Sequence, residues 1–425
     1  MKRTDPPLVP KRIQIITDPI VSVPTLSSFT VLGDPGCDGL GAEVLSLYAQ
    51  GLASAQGSLI LVAGDLVPEG YEHFYRQTDA LIERTAPVPV YLLRGNHDTG
   101  AYNTHYGLSA YAVHDESTLL VVLDNSLNAF TPESLALLER AAGSVPCKDL
   151  ILAMHIPPPN RFTMKAVPLS EWDKVRTVLK RTGAADKLRY TIAGHVHSYF
   201  EDSLDGGVTV VTGGAGARIA PVEGVETPYQ HYVEFYQTRT GWAHRKVNLT
   251  FPLTQPVADQ TLSGLLQDAY ASECMAVVRY QLLAEDAEKR GLVHLAALYR
   301  AIAHAEFYHA RNHFYTGGFM GEPLAGLRDN MAQEQDEIAN RYPASAAYAE
   351  RVGNGLAAAA FDDARRAEQV HLELLTRAQA ALEQGKDIAE TAYFTCTSCG
   401  ATFFGEKPPR CNVCGAPPDK IAAEQ

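Results

Sequence analysis

Short apolar runs alternate with amphipathic stretches through the first 250 residues of the chain. The runs predict strands and the amphipathic stretches predict helices, an alternation typical of a layered α/β domain whose sheet presents polar loops at one edge. Five predicted strands end just before residues that bind metals or transfer protons. They cover residues 29–32, 59–63, 88–93, 150–154 and 190–193, and the residues that follow are Asp34, Asp65, Asn96 with His97 and Asp98, His155, and His195 with His197. Because loops at strand ends collect catalytic groups, we expect these side chains to form one site.

The pattern changes near residue 257, where β-branched residues become rare and Ala, Leu, Glu and Arg recur at helical spacing. It predicts four helices, each with a carboxylate on its apolar face. A carboxylate there is destabilising unless it is paired, protonated or bound to a metal. The residues concerned are Glu273, Glu306 with His309, Glu334 with Glu337, and Glu368 with His371. Two Glu-x-x-His pairs, with carboxylates on the other two helices, form the ligand set of a di-iron or di-manganese bundle.

Two CxxCG segments follow, with Cys396 and Cys399 in the first and Cys411 and Cys414 in the second. The glycine after each pair allows the backbone to curl so that its N–H groups face the sulfurs. This spacing predicts a tetrahedral site of four thiolates, for which zinc and iron are equally suitable. The other three of the seven cysteines are scattered, which favours a metal site over a secreted disulfide framework.

Length and charge narrow the classes of function. A chain of 425 residues predicts two or three domains. A net charge of -13, without a basic cluster, gives no footprint for nucleic acid or an anionic membrane. The sequence contains no apolar run of about eighteen residues, and its first twelve residues lack the apolar segment of a signal peptide. We therefore expect a cytoplasmic protein.

The residues after the five strands supply carboxylate, amide oxygen and imidazole, which hard and borderline divalent metals prefer. Two metals that shared Asp65 would acidify a water and hold the oxygens of a transferring phosphoryl group. In chain order, the segments GDPG, GD, GNHD, a lone His and GHVH resemble the motif series of the calcineurin-like metallophosphoesterase superfamily, over residues 12–250.

The resemblance implies a dinuclear centre of manganese, iron or zinc that hydrolyses a phosphoester. The ligands would be Asp34, Asp65 and His197 for the first metal, and Asp65, Asn96, His155 and His195 for the second. His97 would act as the general acid or orient the phosphate, and Asp98 would fix its ring.

The sequence departs from this family at the first metal. Gly36 stands where many members have a histidine, and Pro68 stands where the purple acid phosphatases have a tyrosine. The first metal is then one ligand short, unless Cys37, Asp38 or Tyr71 replaces it. A weak first site would make the domain a slow phosphoesterase or a module that binds a phosphorylated partner without cleaving it.

Residues 260–420 resemble rubrerythrin, in segments that include AIAHAEFYHARNHF, AEQVHLELL and YFTCTSCG. The resemblance implies that an external donor reduces a thiolate-bound iron, which passes electrons to a di-iron centre that reduces hydrogen peroxide to water. Tyr280 and Tyr342 would hydrogen-bond ligand carboxylates. Rubrerythrins commonly pair so that the thiolate iron of one subunit faces the di-iron site of another, which implies a homodimer.

The predicted architecture has three domains: an α/β metallophosphoesterase domain at 1–256, an all-α four-helix ferritin-like bundle at 257–388, and a small rubredoxin-like domain at 389–425. The predicted function is a fusion of a phosphoesterase with a rubrerythrin-type peroxidase. In one alternative the di-iron and four-cysteine part is a redox sensor that regulates the phosphoesterase. In another, the first domain is a non-catalytic binding module.

Overall fold

A computed structural model describes residues 11–250, 257–389 and 392–423. The chain divides into two compact units, which meet in sequence between Gly317 and Gly318. The predicted domain boundary at 256/257 adjoins residues 251–256, which lie outside the described residues.

The α/β part of the first unit contains two β-sheets flanked by helices. Its strands are β1 (Ile20–Ser22), β2 (Ser28–Leu32), β3 (Ile60–Val62), β4 (Val90–Leu92), β5 (Tyr111–His114), β6 (Thr118–Leu123), β7 (Asp149–Met154), β8 (Leu188–Ala193), β9 (Tyr199–Leu204), β10 (Gly207–Thr212), β11 (His231–Thr238) and β12 (Gly241–Asn248). Its helices are α1 (Ala42–Ala53), α2 (Glu72–Thr85), α3 (Tyr102–Tyr106), α4 (Pro132–Ser144) and α5 (Leu169–Thr182). The sheet orders are β1-β5-β6-β7-β8-β10-β9 and β12-β11-β2-β3-β4.

The two sheets face each other across an apolar core, so the domain has four layers. Phe29 and Phe235 stack in this core with ring centroids 5.1 Å apart, and Ile151 and Ile192 of the larger sheet belong to the same buried cluster. Separate clusters bury α4 and α5 on one outer face and α1 and α2 on the other. Strands covered on both faces are almost entirely apolar, as in β6, where the run LLVVL follows Thr118.

The layered α/β class is confirmed, but the predicted ligand loops follow strands of two sheets instead of one. In the smaller sheet, Leu32 pairs with Val62, and Val62 pairs with Leu92, so three parallel strands end in register. In the larger sheet, Met154 of β7 pairs with Ala193 of β8. Each predicted ligand loop therefore begins at the carboxyl end of a parallel strand, where neighbouring loops lie side by side.

The first unit also contains two long helices, α6 (Gln260–Lys289) and α7 (Val293–Thr316), which pack on each other as a hairpin through a turn at Gly291. Asp259 caps α6 by accepting a hydrogen bond from the backbone N–H of Leu262. None of the helices in the described ranges is long and apolar enough to span a membrane.

The second unit contains α8 (Pro323–Asp336), α9 (Tyr342–Arg351), α10 (Gly355–Leu382), and the strands β13 (Tyr393–Cys396), β14 (Thr402–Phe404) and β15 (Ile421–Ala423). The three strands form a sheet in the order β14-β13-β15. Between α8 and α9 the chain forms a π-helical turn, Glu337–Arg341. The turn precedes Pro343, whose ring cannot fit an unbroken α-helical ladder.

Candidate metal centres

The structure brings the six ligands predicted in the α/β domain into one cluster. Asp65, His155 and His195 place ligand atoms within 4.8 Å of one another, and Asp65 also belongs to a second such group with Cys37 and His197. The remaining predicted ligands adjoin these groups. Asn96 Oδ1 lies 2.9 Å from His155 Nε2, and Asp34 Oδ1 lies 3.8 Å from His197 Nε2. Asp65 is therefore placed to contact two metals at once.

Backbone strain marks the ligand positions. The φ angles of Asp34, Asp65 and His197 are 54°, and that of His195 is 70°. Residues other than glycine seldom adopt this left-handed backbone conformation, and those that do so cluster at functional sites. The strain turns each of these side chains from the end of its strand towards the cluster.

Glycines in the motifs leave room for these side chains. A Cβ on Gly95 would lie 2.2 Å from Asp65 Oδ1, and one on Gly194 would lie 2.5 Å from Asp34 Oδ2. A Cβ on Gly64 would lie 2.4 Å from the ring of His155. These distances are shorter than any allowed contact, so the glycines are required by the ligands that they adjoin.

The cluster concentrates buried negative charge. Burial raises the pKa of Asp34 well above its usual value, although nearby His155 opposes the effect. Burial also acts on Asp65, but the charge and hydrogen bond of His155 outweigh it and lower the pKa of that carboxyl to about 2. Although burial disfavours the imidazolium, Asp65 raises the pKa of His155 to about 9. The buried carboxylates thus stabilise a cation between them, and metals would supply that charge.

His97 is held differently from the prediction. Its Nδ1 donates to the carbonyl oxygen of Pro68 at 2.8 Å, and its backbone N–H donates to Asp65 Oδ1 at 3.0 Å. The prediction that Asp98 fixes the His97 ring is wrong. The Asp98 carboxylate instead accepts backbone hydrogen bonds at 2.8 Å from Leu66 and from Gly95. Asp98 therefore ties the loop after β3 to the loop after β4.

The helical ligands form two clusters, one in each unit. In the first unit, Glu273, Glu306 and His309 lie within 4.8 Å of one another, and His309 Nδ1 is 2.8 Å from Glu306 Oε2. His309 is exposed and Glu273 is half-buried. Two carboxylates and one imidazole suit iron or manganese.

In the second unit, Glu334, Glu368 and His371 group together. His371 Nδ1 lies 2.5 Å from Glu368 Oε2. Burial and contact with Glu368 raise the pKa of Glu334 to about 7, and Glu334 Oε2 is buried without a hydrogen-bond partner. An orphaned carboxylate oxygen beside a second carboxylate fits a site for a cation. Glu337 was predicted to join this set, but it lies in the π-helical turn and accepts a 2.9 Å hydrogen bond from Arg341.

The four cysteines are arranged for one metal. Sγ of Cys396 lies 3.7 Å from that of Cys414, and Sγ of Cys399 lies 3.6 Å from that of Cys411. A tetrahedron with metal–sulfur bonds of about 2.3 Å has edges of about 3.8 Å, so the spacing fits. Gly400 and Gly415 have φ of 81° and 76°, the curled conformation that the CxxCG pattern predicted.

The four-cysteine site packs on α10, the helix that carries Glu368 and His371. Ala367 of α10 shares an apolar cluster with Cys396 and Cys411. His371 Nε2 lies 3.0 Å from Oγ1 of Thr402, in β14. Thr402 therefore holds the side of the His371 ring opposite the nitrogen that faces the carboxylates.

Comparisons with known proteins agree with both halves. Residues 27–199 match the family described as Calcineurin-like phosphoesterase, and residues 264–379 match Rubrerythrin. Rubrerythrin-2 of Clostridium acetobutylicum is 31% identical over 181 residues, which cover 39% of this chain and 98% of that protein. The chain belongs to the rubrerythrin family. It carries a calcineurin-like phosphoesterase domain before its rubrerythrin part.

Other known proteins match one part of the chain each. The rubrerythrin of Clostridium perfringens is 28% identical over 169 residues, which cover 35% of this chain and 87% of that protein. A purple acid phosphatase from yellow lupin seeds is 18% identical, with a TM-score of 0.42, and the match covers 53% of this chain and 52% of that one.

Two tyrosines of the rubrerythrin part differ from the prediction. Tyr280 packs on Tyr299 with ring centroids 5.9 Å apart, and Tyr342 packs on Phe361 at 6.3 Å. Among the described residues, neither hydroxyl makes the predicted hydrogen bond to a ligand carboxylate. The pKa of Tyr342 is raised by burial and by Glu337 and Glu368.

The sequence did not single out two supporting residues. Asn125 accepts hydrogen bonds at 3.1 Å from the backbone N–H groups of His155 and Ile156, which fixes the loop that carries His155. Gly213 leaves room for the loop that carries His197, because a Cβ there would lie 2.6 Å from the backbone nitrogen of His197. The sequence feature that could have identified them is their position just after a buried strand, β6 for Asn125 and β10 for Gly213.

The replacements considered for Gly36 are not equivalent. Asp38 is exposed and accepts from the backbone N–H of Arg218, and Tyr71 is 59% exposed. Cys37 is buried, with Sγ 3.3 Å from His197 Nε2. Its burial and the carboxylates of Asp34 and Asp38 raise the pKa of the Cys37 thiol.

Gly36 itself cannot be replaced without a clash, because a Cβ there would lie 2.0 Å from the carbonyl oxygen of Leu66. We expect Gly36→Ala to lower the free energy of unfolding by about 1–3 kcal/mol, and Gly36→His to lower it further without increasing bound metal. Scanning calorimetry and metal analysis measure the two effects. Gly41→Ala is the control, since Gly41 has open space and a φ of -72°. A stable Gly36→His variant with additional metal would contradict the prediction.

Proposed function

We propose that the chain combines a dinuclear metal-dependent phosphoesterase with a rubrerythrin-type peroxidase. The observation that carries the first activity is the position of Asp65, which belongs to two ligand groups, with Cys37 and His197 on one side and His155 and His195 on the other. Metals bound there would acidify a water and neutralise charge on the phosphoryl oxygens.

His97 is the residue that we assign to proton transfer in this reaction. The Pro68 carbonyl holds Nδ1–H, so Nε2 is the nitrogen that meets the substrate. In its protonated form it would donate to the departing oxygen, and the ring is already oriented before substrate binds. Asp98 contributes by fixing the two loops that carry Asp65 and His97.

The second activity rests on the helical clusters and the four thiolates. Iron at these positions would supply the two electrons that, with two protons, reduce hydrogen peroxide to two waters. Thr402, in the strand beside the thiolates, contacts His371, and we propose that this contact lies on the route from the four-cysteine site to the carboxylate cluster. An external reductant restores the electrons.

We also propose a homodimer in the cytoplasm. The α6–α7 hairpin exposes a stripe at helical spacing, with Met275, Val278 and Leu282 exposed by 69%, 55% and 59%. A second copy of the chain would cover this stripe. Metal-binding thiols require a reducing compartment, which cell fractionation would test.

The His97→Asn variant tests the phosphoesterase. We expect kcat to fall about 10²- to 10⁴-fold on p-nitrophenyl phosphate mono- and diesters, because the proton donor is lost while the metal ligands remain. Metal analysis should show unchanged metal content. His73→Asn, at an exposed position in the same domain, is the control. A wild-type chain with full metal content and no turnover of any ester would instead support a binding module.

The Glu368→Gln variant tests the peroxidase. The wild-type chain should bind about three irons and show thiolate-to-iron absorption that bleaches on reduction. In Glu368→Gln we expect that absorption to remain, while peroxide reduction measured by stopped flow falls at least about tenfold, because a ligand to the carboxylate site is weakened. Glu373→Gln, exposed on the same helix, is the control. Zinc at the cysteines without iron at the carboxylates would overturn the peroxidase assignment.

The Leu282→Glu variant tests the dimer. Sedimentation velocity should give twice the chain mass for the wild type and the mass of one chain for Leu282→Glu, since a charge would then be buried between two copies. Leu127→Glu, at a loop position 77% exposed, should remain dimeric. A wild-type monomer would refute the proposal.

A further inference from the structure

The first metal position in the phosphoesterase domain lacks the ligand that the motif would place at residue 36. Asp34, Asp65 and His197 surround this position. Gly36 has no side chain to act as a fourth ligand. A larger residue does not fit there, because a Cβ would lie 2.0 Å from the carbonyl oxygen of Leu66. The path of the backbone therefore excludes a side-chain ligand at residue 36, and a fourth ligand must come from another residue.

The loop after β2 is anchored so that residue 37 faces the cluster. The backbone N–H of Gly36 donates to the carbonyl oxygen of Asp65 at 2.9 Å, and the carbonyl oxygen of Asp34 accepts from Ala217 at 3.0 Å. Both bonds fix the chain just before residue 37. Cys37, the next residue, is 7% exposed.

The sulfur of Cys37 lies at the distance expected between two ligands of one metal. Sγ is 3.3 Å from His197 Nε2, and both atoms lie within 4.8 Å of a carboxylate oxygen of Asp65. In a tetrahedral site with metal–sulfur bonds of about 2.3 Å and metal–nitrogen bonds of about 2.0 Å, the edge from sulfur to nitrogen is about 3.5 Å.

We propose that Cys37 is a thiolate ligand of the first metal, in place of the histidine that the Gly36 position excludes. The two metal positions then differ in kind. The first has sulfur, nitrogen and oxygen donors, which favour zinc, cobalt or ferrous iron over manganese or magnesium. The second, with Asp65, Asn96, His155 and His195, has only nitrogen and oxygen donors. The inference rests on the proposed function, because it requires metals in this domain.

Cobalt(II) absorption tests the assignment. The full chain, with its four-cysteine site first filled with zinc, is titrated with cobalt(II). We expect a thiolate-to-cobalt charge-transfer band in the near ultraviolet, which disappears in Cys37→Ser together with at least a tenfold loss of cobalt affinity at one position, an order of magnitude typical of weakened metal sites. Cys147→Ser is the control, since Cys147 is a half-buried thiol that belongs to none of the metal groups. Cys37→Asp should retain cobalt and lose the band.

Each outcome decides a separate claim. The same band in Cys37→Ser as in the unmodified chain would overturn the thiolate assignment and leave the phosphoesterase proposal intact. No cobalt bound in the α/β domain of the unmodified chain would refute the proposed phosphoesterase as well. If Cys37→Ser does not fold, ¹¹³Cd NMR of the unmodified chain decides. A resonance of a site with one sulfur, distinct from that of the four-sulfur site, supports the proposal, and its absence from a cadmium-loaded chain refutes it.

Discussion

Burial of carboxylates between two sheets is the constraint on which the α/β domain depends. Asp34 and Asp65 are excluded from water, and their partners are backbone N–H groups and the ring of His155. Such an arrangement is costly unless positive charge is added. Backbone approach, glycine placement and strand register all serve to bring these two carboxylates together. The metal chemistry of the domain follows from how that charge is balanced.

The second unit also groups side chains that bind cations, but there they include four sulfurs as well as carboxylates and an imidazole. Four sulfurs lie at the corners of a tetrahedron, and the strand beside them contacts α10, which presents Glu368 and His371 to Glu334 of α8. The resemblance to rubrerythrin implied that a thiolate-bound iron faces the di-iron site of another subunit. In the structure, the contact between Thr402 and His371 joins the two kinds of ligand within one chain. Because Thr402 lies in β14, the sheet that frames the cysteines also positions His371, a proposed metal ligand.

Much of the site could be predicted because strands followed by ligands leave a local signal in the sequence. Each of the six proposed phosphoesterase ligands follows a buried strand, and parallel strands in register bring their ends together. The role of Asp98 depended on where the loop after β3 lies, and no local pattern contains that information. Neither the division into two sheets nor the close approach of Leu66 to Gly36 could be predicted, since both arise from pairing between distant segments. Glu337 was predicted from helical spacing, but it begins a π-helical turn in which its carboxylate accepts a hydrogen bond from Arg341, and no local pattern shows that bond.

The left-handed backbone at four proposed metal ligands has a consequence for evolution and engineering. Each such residue costs about 1–2 kcal/mol relative to an ordinary conformation, a sum comparable with the whole stability margin of a small domain. Glycine at these positions would relieve the strain and remove the ligand in the same step. Selection for thermostability alone would therefore tend to erase the centre, and only selection that also requires metal binding would keep it. The residues proposed to bind metal therefore make the domain less stable than its fold would otherwise allow.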